Sequence, residues 1–185
     1  MLVDDVTHAR PRRLRRTEYD RMAQLGFFQH ERVELIRGTV VAMSPIGPPH
    51  SSVVDRLTRL LVRALDPRAL VRIQQPFLAN DESEPEPDVA VVPDGIYAEA
   101  HPDHAFLIIE VAESSLDYDR ETKGPLYAAS GVGEYWIVDV AARAIEVYSC
   151  PVNGRYRSLR TIDREGSVAI DAFADVTIKV STLFP

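Results

Sequence analysis

The sequence predicts a mixed α/β (α+β) domain, and three observations carry that reading. Several short runs rich in β-branched residues read as strands: "DVAVV", "FLIIEVA", "EYWIVDV" and "AIEVYSC". One long segment, "HSSVVDRLTRLLVRAL", repeats its apolar residues at helical spacing. The order along the chain is helix, strands, helix, strands, without a repeat, so both kinds of element belong to one core.

The elements follow in order. "TEYDRMAQLGFF" predicts a first helix capped by Thr17, with Met22 and Leu25 on one face and a stop at Gly26. "RVELIRGTVVAMSP" predicts a strand pair turning at Arg37-Gly38. Pro45, Gly47, Pro48 and Pro49 then break the chain, and the long helix follows, with Ser51 or Ser52 as its cap. "LVRIQQPFLA" predicts a strand ending near Pro76, and the acidic segment from Asn80 to Pro87 a solvated loop. A second helix is expected through "KGPLYAAS", stopping at Gly131. Pro125 is tolerable there if Thr122 is the cap. A hairpin of "EYWIVDV" with "AIEVYSC" and further short strands, with a turn at Asn153-Gly154, complete the chain.

Composition bounds the function. The 185 residues fit one domain, residues 17–185, preceded by a basic arm, residues 1–16, expected to be flexible. An apolar share of 45% supports a sizeable core. No run approaches ~18 uncharged apolar residues, so no membrane span is expected. The start of the chain lacks an apolar signal region, and one cysteine, Cys150, cannot form an internal disulfide; both fit a reducing cytoplasm. A net charge of −7 argues against a protein that grips nucleic acid through bulk positive charge. The charge is uneven, however. "RPRRLRR", Arg10 to Arg16, holds five arginines and "DESEPEPD", Asp81 to Asp88, five acids. The arginine run reads most simply as a solvated arm, and otherwise as a phosphate contact.

Glu110 stands out in the apolar run "AFLIIEVAES". A buried carboxylate is costly without a partner or a metal. Alternation puts Phe106, Ile108 and Glu110 on one strand face and Leu107, Ile109 and Val111 on the other. If that strand neighbours "DVAVV", Asp88 and Glu110 converge at one end of the sheet. Two converging carboxylates repel unless a cation lies between them, and oxygen donors of this type suit Mg²⁺ or Mn²⁺. Lys123 and Tyr127, four residues apart, share a helix face, and the lysine can reach the same pocket to offset negative charge on a phosphoryl group. Arg72 is the alternative partner for Glu110. Glu34 and Lys123 have exposed readings, Asp88 a loop-capping one, and His50 either approaches the site or caps its helix. Tyr127 and Trp136 read as core or interface aromatics, and Asp117, Asp119 and Asp139 as turn or cap residues.

"PDVAVV", "FLIIEVAESS" and "DYDRETKGPLYAASGVGEYWIVDV", with "VELIRGTVVAMSP" and a following His upstream, together resemble the Uma2 family, also called DUF820. The resemblance runs from about Glu31 to about Tyr148 and lies in the ordered set PD, EV, K, Tyr and EYW-VD. It implies a restriction-endonuclease-like fold of the PD-(D/E)xK superfamily: a central mixed sheet flanked by helices, here with an extra N-terminal hairpin and C-terminal strands. It implies a Mg²⁺- or Mn²⁺-dependent endonuclease that hydrolyses phosphodiester bonds of nucleic acid, DNA in the first instance. By the resemblance, Asp88 and Glu110 would be the metal ligands, and Glu34, Asp88, Glu110 and Lys123 the catalytic set. The superfamily lysine position, two after the acid, holds Ala112, and Lys123 takes its place from the next helix. Nucleases of this superfamily commonly act as dimers, and the tail from Val152 to Pro185 is a candidate interface. The competing reading is a catalytically inactive module that keeps the fold for nucleic-acid or protein interaction. A two-carboxylate hydrolase that works without metal is the third.

Overall fold

The computed structural model describes residues 11–184. Its centre is a six-stranded mixed sheet in the order β3-β4-β5-β6-β7-β8. The strands are β3 (Ala69–Ile73), β4 (Val89–Pro93), β5 (Leu107–Ala112), β6 (Glu134–Asp139), β7 (Ala144–Val152) and β8 (Arg155–Ile162). All neighbours are antiparallel except β5 and β6, which run parallel with Glu110 opposite Ile137. A parallel step needs a crossover. It is supplied by α3 (Leu116–Tyr118), a π-helical turn (Asp119–Lys123) and α4 (Gly124–Ala129).

Helices cover both sheet faces. The long helix α2 (Pro48–Leu65) buries Val53, Val54, Leu57, Leu61 and Leu65 on one face, against Val89, Val91, Leu107, Ile109, Val111, Trp136 and Val138. The C-terminal hairpin, β9 (Ser167–Ile170) with β10 (Phe173–Lys179), and the 3₁₀ turn Val180–Leu183 close the same core. Tail residues Val168, Ile170, Val176, Ile178 and Leu183 are therefore buried within the chain. The opposite face carries Ala90, Ile108, Tyr135 and Ile137 under Tyr127 of α4. Its aromatic side chains pack in a chain, Phe77 to Tyr127 to Tyr135, with ring centroids 6.3 and 5.2 Å apart. Phe106 departs from the expected alternation: it precedes β5 and packs edge-on against Phe173, on the α2 side.

A smaller N-terminal unit docks on this body. Helix α1 (Arg16–Gln24) packs on the hairpin β1 (Val33–Ile36) with β2 (Thr39–Ala42), and the buried Tyr19 hydroxyl donates to Val33 O at 2.9 Å. The hairpin turns at Arg37-Gly38, where both residues have positive φ (50° and 75°), which favours glycine at the second position. A bridge between Leu35 and Glu84 ties the hairpin to the segment before β4. The described part of the basic arm follows the hairpin: Leu14 N donates to Gly38 O and Arg16 N to Asp81 O. Arg10 and the residues before it lie outside the described residues.

Several local expectations are corrected. The cap of α1 is Arg15, whose backbone N–H donates to Glu18, and not Thr17. The buried anchor of α1 is Tyr19, while Leu25 is exposed. Helix α2 begins at the two prolines, capped by Gly47, because proline costs nothing where helix N–H groups have no partner. Ser51 lies within the helix, its hydroxyl bonded back to Gly47 O. The helical crossover begins at Leu116 rather than at Thr122, and Gly124 and Pro125 sit inside it just after the π turn. The acidic segment is not wholly solvated, since Ser83, Glu84, Pro85 and Pro87 are buried.

Candidate active site

A cleft of about 380 Å³ opens where the N-terminal unit meets the ends of β4 and β5. Four chain segments build it. Strand β1 carries Glu34, the start of β4 follows Asp88, β5 carries Glu110, and the π turn ends in Lys123. Glu34, Glu110 and Lys123 are 3%, 4% and 5% exposed, and Asp88 is nearly as buried. All four residues expected from the sequence therefore stand in one cleft.

Lys123 links two of them. Its Nζ lies 3.0 Å from Glu110 Oε1 and 3.3 Å from Glu34 Oε2. Tyr127, one turn further along, donates its hydroxyl to the same Glu110 Oε1 at 2.7 Å. Lys123 and Tyr127 thus share a face, as expected, and Tyr127 is both core aromatic and cleft hydrogen-bond donor. Arg72 is not the partner of Glu110; it bonds His101 instead.

Asp88 and Glu110 meet across the β4–β5 pair. The Asp88 N–H points to Glu110 Oε2 at 3.4 Å, and Val111 N donates to Asp88 Oδ2 at 2.8 Å. Gln74 donates to Asp88 Oδ1 at 3.2 Å, and His50 Nε2 lies 2.9 Å from Asp88 Oδ2. Glu34 is held by the Glu86 N–H at 3.2 Å and the Tyr118 hydroxyl at 3.4 Å.

Electrostatics set these groups apart from surface acids. Burial pushes the Glu110 carboxyl up to about 8; Lys123 offsets this, while Asp88, Asp119 and Glu34 add to it. Burial likewise acts to raise Asp88, but hydrogen bonds from His50, Val111 and Gln74 outweigh it and hold its carboxyl below the usual range. Burial alone would lower Lys123, yet the surrounding carboxylates Glu110, Glu34 and Asp119 drive it well above an ordinary lysine. The amine is therefore a permanent cation.

One cleft residue, Asp119, reads otherwise in the sequence, and for another, His50, the sequence leaves two readings open. Asp119 is buried, accepts from the Ser115 hydroxyl at 2.6 Å and is pushed up to about 6 by burial, whereas its sequence context reads as a turn. The reason is the π turn: an extra residue in the helical turn rotates Asp119 and Lys123 inward, and no local residue pattern marks such a turn. His50 reaches Asp88 and does not cap α2, whose cap has no side-chain bond. Asp139, by contrast, is a turn residue as read, accepting from Ala142 N.

The cleft fits a hard divalent cation by its donors and its charge. Six carboxyl groups line it (Glu34, Glu86, Asp88, Glu110, Glu113 and Asp119), with the guanidinium of Arg32 and the amine of Lys123. All these donors are oxygens, the ligands Mg²⁺ and Mn²⁺ prefer. Among the described residues no three acidic, histidine or cysteine groups are already gathered at metal-holding spacing.

Comparison with known proteins agrees with this architecture. The solved structure of a protein from Anabaena variabilis ATCC 29413, described as a putative nuclease belonging to DUF820, superposes with a TM-score of 0.69. The match covers 82% of this chain and 89% of that one, at 17% identity, and shows a shared nuclease-type fold. No curated protein matches the chain in sequence. Among the described residues no helix is long and apolar enough to cross a membrane. A family model described as "Putative restriction endonuclease" matches residues 16–181, and the chain belongs to that family, Uma2.

Proposed function

We propose that this chain is a metal-dependent endonuclease that hydrolyses phosphodiester bonds of DNA with Mg²⁺ or Mn²⁺. The observation that carries the reading is the convergence of Glu34, Asp88, Glu110 and Lys123, from four distant segments, in one acidic cleft. Family membership supports the nuclease class.

In this reading Asp88 and Glu110 hold the cation. A divalent cation bound there supplies Lewis-acid polarisation of the phosphoryl oxygen. Glu110 has a lone pair on Oε2 for that role, because Oε2 accepts only the long bond from Asp88 N–H at 3.4 Å whereas Oε1 accepts from both Lys123 and Tyr127. The two donors fix the carboxylate's rotation before substrate arrives, which removes reorganisation from the reacting complex. Lys123 carries a positive charge at the wall of the cleft and stabilises the negative charge that develops on the phosphoryl group. Glu34 aims and charges that amine from the other side. Arg32, at the cleft and paired with Glu86 at 3.1 Å, offers a guanidinium to the nucleic-acid backbone.

The test is cleavage of supercoiled plasmid with Mg²⁺ or Mn²⁺ and with chelator, comparing wild type with Asp88→Ala and Glu110→Ala. Cleavage by wild type alone, abolished by chelator, is expected. Equal cleavage by all three proteins, or cleavage in chelator, overturns the assignment. A single-stranded RNA of matching sequence, run in parallel, decides between the two nucleic acids.

A further inference from the structure

The side chain of His50 has no place in the scheme above, and its surroundings are unusual. It is the third residue of α2 and reaches out of that helix to Asp88, with Nε2 2.9 Å from Oδ2. Its other ring nitrogen, Nδ1, is buried and has no hydrogen-bond partner. An unpaired buried nitrogen costs free energy, so the ring does not sit there to satisfy itself. It caps nothing, since the start of α2 has no side-chain cap.

What His50 does is visible in the acceptor count on Asp88. A carboxylate offers about four lone-pair positions, two on each oxygen. Oδ2 takes both the Val111 N–H and His50 Nε2. Oδ1 takes only Gln74. One oxygen is thus saturated and the other keeps a free position. Without the imidazole, Asp88 would keep two of its three donors, Val111 N on Oδ2 and Gln74 on Oδ1, and Oδ2 would lose the one that fills its second lone pair.

The first turn of α2 carries His50, and the helix is held over β4 and β5 by its buried residues Val53, Val54, Leu57 and Leu61, packed with Val89, Ile109 and Val111.

Resting on the metal-dependent reading, we propose that His50 is a positioning residue for the cation site. By occupying Asp88 Oδ2 together with Val111 N, it presents Oδ1 to a divalent cation. It touches neither cation nor substrate and acts through Asp88 alone. Groups that orient metal ligands in this way commonly contribute about 10–100-fold in metal affinity.

The substitutions separate this role from packing. The amide of glutamine places a donor near the position of imidazole Nε2, whereas that of asparagine stops near Nδ1. Mn²⁺ binding is measured by titration calorimetry on the full chain without nucleic acid, for wild type, His50→Gln, His50→Asn and His50→Ala. The expected result is near-wild-type affinity for His50→Gln and at least about tenfold weaker binding for the other two. Undiminished binding by His50→Ala overturns the proposal, and so does equal weakening in all three variants. If His50→Ala fails to fold, the contrast between Gln and Asn decides alone. Wild type that binds no Mn²⁺ overturns both the metal reading and this proposal. Wild type that binds Mn²⁺ with the expected ranking, yet cuts no nucleic acid, removes the nuclease reading and leaves the role of His50 standing.

Discussion

Two buried acids in this molecule, Glu110 and Glu84, differ in what surrounds them. Both are pushed up by burial, Glu110 to about 8 and Glu84 to about 7. Glu110 meets an amine at 3.0 Å and a phenol at 2.7 Å, inside a cleft lined by further carboxylates. Glu84, 5% exposed, lies beneath α1 where Asp20 adds to its shift and Arg16 partly offsets it. Its Oε2 is buried and has no hydrogen-bond partner. Burial of an acid is therefore not by itself the mark of a site. What distinguishes the cleft is that donors from separate segments converge on its acids and leave single lone pairs of Glu110 Oε2 and Asp88 Oδ1 open.

The difference is broken most severely by removing the cleft's cation. Lys123→Met leaves Glu34 and Glu110 buried without their shared partner. Removing one side of a buried ion pair costs roughly 3–5 kcal/mol, so urea unfolding should shift to much lower midpoints and cleavage should be lost. An unchanged midpoint would mean that the two glutamates are not held as charges against the amine.

Next in size is Glu110→Gln. The amide oxygen still accepts from Lys123 and Tyr127, but the site loses a negative ligand. Cleavage should fall by at least about 100-fold, in line with the several kcal/mol that metal polarisation supplies. Stability above pH 8 should not fall, because the amide has no charge to bury. Loss of activity together with loss of stability would make Glu110 a structural residue.

Glu84 provides the counterpart in pH. Its folded value, about 7, lies above the ordinary 4.5, so the folded state holds the proton more tightly than the unfolded chain. The stability this contributes is complete below about pH 4.5 and is lost as pH rises through about 7. Glu84→Gln removes that dependence and should exceed wild type above pH 7 by on the order of 1 kcal/mol. Unfolding curves at pH 5 and pH 8 check the sign. A variant that is less stable than wild type at pH 8 would show that the charged carboxylate is accommodated.

The same contrast explains what could be read from the residues in advance. The hairpin turn at Arg37-Gly38 and the buried stripe of α2 are local patterns, and both stand as expected. Asp88 and Glu110 come together once consecutive strands are neighbours, and β4 and β5 are. Asp119 and the inward aim of Lys123 depend on whether one turn closes with four residues or five, which packing against the sheet decides. In the sequence Glu84 is one of several acids in a proline-bearing loop, and only docking of α1 and β1 over that loop buries it. The contact of His50 with Asp88 joins residues 38 positions apart and leaves no periodic trace.

The smallest effect tests whether aromatic packing or the hydroxyl makes Tyr127 matter to the cleft. Tyr127 is fully buried between Phe77 and Tyr135, and burial beside Glu110 holds its phenol well above the usual range, so it donates and does not ionise. Tyr127→Phe keeps the ring and both aromatic contacts but removes the donor to Glu110 Oε1. Loss of one such bond costs about 0.5–1.5 kcal/mol. Lys123 still holds the same oxygen, so the carboxylate keeps its place and cleavage should fall by less than about tenfold, the equivalent of 1.4 kcal/mol. A larger fall in cleavage with unchanged stability would mean that the phenol, and not the amine, fixes the rotation of Glu110. The ranking of Lys123 over Tyr127 as the group that prepares this acid would then reverse.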